Sequence, residues 1–288
     1  MGRYREHMSL EPAQFQLSPQ VVLDGWIGGH SASDHRVLLL HGFPQDSTAM
    51  LAVAGELVAG GVQVLVPDQR GYSPEARPTE VGDYALEHLV ADVRGLLDAV
   101  GWERAHVVGH DWGAMVAWTL AATAPEAVES LIALSVPHPA AFARAILGDP
   151  DQQRRSAYVQ LFQAPDGLAE QVLLAEDAAK LRAMYGSDLA DLAISGYVER
   201  LSEPGALTAA LNWYRAMELG QLVEIPAVDV PTTFVWGGTD VAIGRVAALG
   251  AADYVNADYE FVELSDQGHW LPETATPDVV AAIRTRLG

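Results

Sequence analysis

Gly109-His110-Asp111-Trp112-Gly113 places a carboxylate inside a G-x-D-x-G turn. Ala105–Val108 before it is short, apolar and β-branched, and Ala114–Ala122 after it is rich in helix formers. Strand, glycine-flanked turn and helix make a nucleophile elbow, which lifts one side chain above a parallel sheet. A carboxylate in that position is anionic at neutral pH without help from a base. It can attack a saturated carbon by displacement and keep the product as an ester. A strained ring or a leaving group on sp3 carbon is therefore the expected target. The competing role for Asp111, a plain helix N-cap, leaves the flanking glycines unexplained.

An ester on Asp111 needs a base to hydrolyse it. His269, in the loop-like Asp266-Gln267-Gly268-His269-Trp270 near the carboxyl end, follows a strand and suits the role. Its orienting acid is expected at the end of the preceding strand, where Asp240 closes Trp236-Gly237-Gly238-Thr239-Asp240; Asp266 shares the loop of His269 and fits less well. Nucleophile, acid and histidine then follow the chain order of an elbow-bearing hydrolase. His41-Gly42-Phe43-Pro44 also follows a strand. The backbone N–H groups of Phe43 and Trp112 are expected to converge on one oxygen of the Asp111 ester as an oxyanion hole. Loss of one such donor typically costs about 10²–10³ in rate. His41 and Pro44 of this turn, and Trp213, are expected to line the substrate site. His110 is expected to pack beside the elbow, and His30, His35 and His88 to lie on the surface.

The elements that must hold these residues alternate. Val21–Ile27, Val37–Leu40, Val62–Val66, Ser130–Leu134, Thr232–Trp236 and Tyr259–Val262 read as strands. Met50–Ala59, Leu86–Val100, Arg245–Ala251 and Pro277–Leu287 read as helices. The fold class is α/β, a mostly parallel, doubly wound sheet. From Ala140 to about Val228 the pattern is almost wholly helical, which reads as a cap over the sheet's carboxyl edge, where such folds bind ligands. The expected organisation is a core of residues 9–136 and 229–288 with a helical cap of 137–228. Residues 1–8 are polar and read as a tag or a disordered start.

Composition narrows the partners. The 288 residues are 50% hydrophobic, so a large core can be buried. The net charge of −21 argues against nucleic acid and anionic membranes as partners. The absence of cysteine excludes disulfides, thiolate chemistry and cysteine-based zinc sites. No apolar run approaches the length of a membrane span, and a cytoplasmic location is the expectation. The scheme calls for no metal and no cofactor, and it leaves a homodimer open.

These motifs together resemble an epoxide hydrolase of the α/β-hydrolase fold, from about Val21 to the end of the chain. H-G-F-P, D-x-R-G-Y, G-H-D-W-G-A, G-G-T-D and G-H-W fit that superfamily, including its haloalkane dehalogenases. Two segments of the helical block favour the epoxide hydrolases. Tyr158-Val159-Gln160-Leu161-Phe162-Gln163 resembles the segment bearing their first cap tyrosine, and Leu211-Asn212-Trp213-Tyr214-Arg215 the segment bearing the second. The resemblance implies that Tyr158 and Tyr214 hydrogen-bond the epoxide oxygen, with a small-molecule epoxide and water as the partners. The chain departs from many relatives at Tyr72-Ser73-Pro74-Glu75, where they continue Gly-x-Ser after the tyrosine.

Chemistry supports the tyrosine pair, because ring opening creates an alkoxide and a phenol can protonate it while staying neutral at pH 7. Tyr185 and Tyr197 are expected only to pack. A haloalkane or haloacid dehalogenase would keep Asp111, Asp240 and His269 but bind halide through indole N–H groups such as those of Trp112 and Trp213. A noncatalytic ligand-binding protein on the same fold would bind without turnover.

Overall fold

The structure is a computed structural model describing residues 9–30 and 33–288. Residues 1–8, read above as a tag or disordered start, lie outside the described residues. Among the described residues, eight strands form one sheet in the order β1-β2-β4-β3-β5-β6-β7-β8. They are β1 (Glu11–Ser18), β2 (Val21–Gly28), β3 (Arg36–Leu40), β4 (Gln63–Pro67), β5 (Ala105–His110), β6 (Val128–Leu134), β7 (Thr232–Gly237) and β8 (Tyr259–Leu264). β1 and β2 pair antiparallel, β2 joins β4 antiparallel, and all later pairings are parallel.

The strand sequences explain the layering. Successive side chains of a strand point to opposite faces, so Leu38 and Leu40 enter one apolar layer while Val37 and Leu39 enter the other. β5 is buried along its whole length, which is why it lacks the apolar–polar alternation of a half-exposed strand. Helices α1 (Leu51–Ala59), α2 (Leu86–Ala99) and α3 (Trp112–Thr123) fill the crossovers of the first half.

Between β6 and β7 the chain leaves the sheet through α4 (Pro139–Gly148), α5 (Pro150–Arg155), α6 (Tyr158–Phe162), α7 (Leu168–Ala183), α8 (Asp191–Leu201), α9 (Ala206–Arg215) and α10 (Leu219–Val223). α7 breaks at Ala175–Ala178, where Glu176, Asp177 and Ala178 take left-handed angles. The sheet then resumes with α11 (Arg245–Gly250), α12 (Leu271–Thr274) and α13 (Thr276–Leu287).

Parallel pairing has one consequence for function. The strands β3, β5, β6, β7 and β8 all end on the same sheet edge, and the segments following four of them carry Phe43, Asp111, Asp240 and His269. β1 has no counterpart in the sequence expectations. It carries Pro12 and two glutamines and buries only Phe15, the composition of an edge strand.

Candidate active site

Asp111 occupies the turn between β5 and α3 with φ 52° and ψ −119°, a conformation a non-glycine residue adopts only when its surroundings enforce it. Those surroundings are tight. A Cβ on Gly109 would lie 2.2 Å from the Gly113 carbonyl oxygen, and one on Gly42 would lie 2.3 Å from Asp111 Cβ. The strained turn aims the carboxylate at the start of α3, whose positive end favours an anion.

Three groups converge on that carboxylate. The Phe43 N–H donates to Asp111 Oδ1 at 2.8 Å, and the Trp112 N–H also stabilises the anion. On the other side His269 Nε2 lies 3.5 Å from Asp111 Oδ2. His269 Nδ1 is 2.8 Å from Asp240 Oδ2, and Asp240 Oδ1 accepts from the N–H groups of Ala242 and Ile243 at 2.7 and 2.9 Å. Asp266 is exposed and takes no part.

Electrostatics follow from this geometry. Burial opposes the His269 charge, but the carboxylates of Asp240 and Asp111 outweigh it and raise the imidazole pKa to about 10. Burial likewise pushes the Asp111 carboxyl up, yet the hydrogen bond and charge of His269 hold it below its ordinary value. The free site is thus an imidazolium between two carboxylates.

Tyr158 opens α6 and Tyr214 lies near the end of α9. Their rings meet nearly perpendicular, with centroids 6.2 Å apart. Tyr214 also stands edge-on to Trp112 and Phe43, at 5.1 and 5.3 Å. Burial, reinforced by the Asp111 charge, raises both phenol pKa values, so both hydroxyls remain protonated donors at neutral pH. Asp111, Tyr158, Tyr214, Phe43 and His269 all border one cavity of about 480 Å³.

Three residues expected on the substrate site are placed elsewhere. His41 is fully buried beneath the turn, and its Nε2 accepts from the Gln69 N–H. Pro44 is buried and turns its carbonyl to the Tyr185 hydroxyl at 2.7 Å. Trp213 donates its indole N–H to the Arg70 carbonyl at 3.0 Å, which removes it as a halide donor. None of the three borders the cavity at Asp111.

Tyr185 and Tyr197 do more than pack. The Tyr185 ring lines the cavity while its hydroxyl pins the Pro44 turn, and Tyr197 stacks on it and donates to Glu273. His110, buried as expected, donates from Nε2 to the His269 carbonyl at 2.8 Å.

Several positioning residues carried no signal in the sequence. Ser135, just past β6, donates to the same His269 carbonyl at 2.6 Å. Gln152 of α5, fully buried, donates to the Ala242 carbonyl and accepts from the Gly244 N–H, both at 2.8 Å. Arg155 donates to the Asp240 carbonyl. α5 therefore grips the loop that carries Asp240.

Residues 35–276 match the family model described as alpha/beta hydrolase fold, and this chain belongs to that family, a hydrolase by fold and relationship. It is 38% identical over 242 residues to the AB hydrolase superfamily protein YfhM of Bacillus subtilis, covering 82% of this chain and 84% of that one. It is also 32% identical over 289 residues to epoxide hydrolase A of Mycobacterium tuberculosis, covering 86% of this chain and 88% of that one. The crystal structure of epoxide hydrolase A from Mycobacterium thermoresistibile superimposes with a TM-score of 0.83 at 27% identity, over 97% of this chain and 98% of that one.

Proposed function

We propose that this hydrolase converts an epoxide to a vicinal diol through a covalent ester on Asp111. The observation that carries the reading is the pairing of two neutral phenols with an anionic, elbow-mounted carboxylate across one cavity. Relatives named as epoxide hydrolases support it.

In the first half-reaction Asp111 Oδ2 attacks an epoxide carbon and the carbon–oxygen bond breaks. The oxygen, held by Tyr158 and Tyr214, takes a proton from one of them as it becomes an alkoxide; solvent returns that proton. Esterification removes the Asp111 charge, one of the two that raise the His269 pKa. The imidazolium can then release its proton and become a base.

In the second half-reaction neutral His269 takes a proton from water, and the resulting hydroxide adds to the ester carbon. Negative charge develops on Oδ1, which already accepts from the Phe43 N–H, with the Trp112 N–H as the second donor of the scheme. Collapse expels the diol oxygen, protonated by His269; the proton of the resulting Asp111 carboxylic acid then passes to the imidazole, which restores the carboxylate and the imidazolium. Halide displacement would need indole donors at the leaving group, and the N–H of Trp213 is already spent on Arg70.

The test is a single turnover of styrene oxide with excess enzyme in ¹⁸O-water. The expected diol carries no label on that turnover, because its new oxygen comes from Asp111. Fully labelled diol would mean direct attack by water and overturn the nucleophile. Halide release from haloalkanes with no diol from epoxides would overturn the substrate class.

A further inference from the structure

Asp111, Tyr158, Tyr214 and Ala242 border two cavities rather than one. The larger holds about 480 Å³ and runs between Leu161, Phe162, Leu173, Met184, Tyr185 and Trp270. It reaches solvent where the exposed residues Lys180, Gly186, Asp188 and Val241 border it. The smaller holds about 30 Å³ and is walled by Met115, Val136, Phe142, Val159, Met217 and Ile243.

These volumes differ in what they admit. A cavity of about 150 Å³ binds benzene, and one of about 10–15 Å³ just holds a water. The larger cavity thus has room for a fused ring system or a long alkyl chain, whereas the smaller has room for a hydrogen or a methyl group. Four of the walls of the small cavity, Met115, Val136, Phe142 and Ile243, are themselves buried in the packed interior. Close-packed interiors resist expansion, so the small arm does not open cheaply.

The small cavity is also a poor place for the hydrolytic water. His269 borders the large cavity and not the small one. Apart from Asp111, Tyr158 and Tyr214, the residues lining the small cavity carry apolar or aromatic side chains. Its chemistry suits hydrocarbon.

Resting on the epoxide reading above, we infer that the substrate is a lopsided epoxide. One carbon of the ring carries nothing larger than a methyl group, and the other carries a large apolar substituent. Tyr158 and Tyr214 hold the oxygen at the junction of the two arms. Met217, half-buried just past the end of α9, is the specificity-determining side chain most able to be trimmed without opening the core.

Three isomeric epoxyoctanes test this, since they share composition and differ only in how eight carbons divide about the ring. They are the terminal epoxide, the isomer bearing one methyl group, and the symmetrical isomer with a propyl group on each side. Diol formation should give kcat/KM in that descending order, with the symmetrical isomer at least about 100-fold below the terminal one, as each rejected methylene is worth about 10–200-fold. Met217→Ala should shift the ratio of the two by about 10-fold toward the symmetrical isomer. Equal kcat/KM values for all three in the wild-type enzyme would overturn the inference and leave the epoxide reading standing. Absence of diol from every isomer and from styrene oxide would overturn the epoxide reading itself, and this inference with it.

Discussion

The Nδ1–H of His269 points at Asp240 Oδ2 from 2.8 Å, with both side chains buried. That contact fixes which nitrogen keeps its proton when the ring is neutral and turns the other toward Asp111. It also supplies a permanent counter-charge to the imidazolium, while in the proposed scheme the counter-charge from Asp111 would disappear on ester formation. The same histidine is therefore a cation in the free site, and the proposed scheme makes it a base in the ester.

Replacing Asp240 by Asn keeps the shape of the contact and removes its charge. Ester formation should survive, because Asp111 and the tyrosines are untouched, but ester hydrolysis should slow by about 10²–10⁴, the span of general-base assistance. Intact mass during turnover should show the enzyme plus one substrate. Rapid multiple turnover with no adduct would remove Asp240 from the scheme.

In the proposed scheme the tyrosines act before the ester exists. Tyr158→Phe with Tyr214→Phe should abolish ring opening and leave no adduct, the opposite signature to that of the acid variant. Each single variant should retain part of the activity, since one phenol still donates. An adduct in the double variant would place the proton donor elsewhere.

Much of this site was legible because it sits on regular geometry. Val37–Leu40 and Val62–Val66 are buried on both faces, so they read as parallel strands, and their order brings the strand ends together without any knowledge of contacts. The elbow was legible through its glycines, each required by backbone a little over 2 Å away. Ser135 and Gln152 were not, because a serine after a strand or a glutamine in a helix has no spacing that marks it. Their roles arise only when distant segments meet. Trp213 misled for the converse reason: its residue type suits an anion, but the fold directs its N–H to the Arg70 carbonyl.

Gln152 offers a way to disturb the acid loop without touching the reacting groups. Gln152→Leu leaves the Gly244 N–H and the Ala242 carbonyl without their partner, a stability cost of about 1–3 kcal/mol. If the loop also loses its hold on His269, kcat should fall about tenfold, for about 1.4 kcal/mol of lost transition-state stabilisation, and the ester should accumulate. Gln152→Glu, which can still accept from Gly244, should fall between the two. A lower melting temperature with unchanged kcat would assign Gln152 to stability alone.

Glu273, on α12, supplies a pH dependence of stability that does not pass through the reacting groups. Its carboxylate accepts from Tyr197 and Gln45, but burial, with the nearby charge of Asp46, raises its pKa from 4.5 to about 7. The folded protein therefore holds a proton there that the unfolded chain releases above 4.5. Stability from this group is undiminished below that value, falls as pH rises toward 7 and stays reduced above it. The raised pKa of His269 acts over a higher window, its contribution being complete below 6.5 and lost as pH rises through about 10. Comparing Glu273→Gln with wild type cancels that second effect, because both keep His269. The variant should melt about 2 °C higher at about pH 8, and the gap should close by about pH 4.5. Thermal unfolding at the two pH values decides it. A variant that melts lower at the higher pH would mean that the two hydrogen bonds to the ionised carboxylate outweigh the cost of burying it.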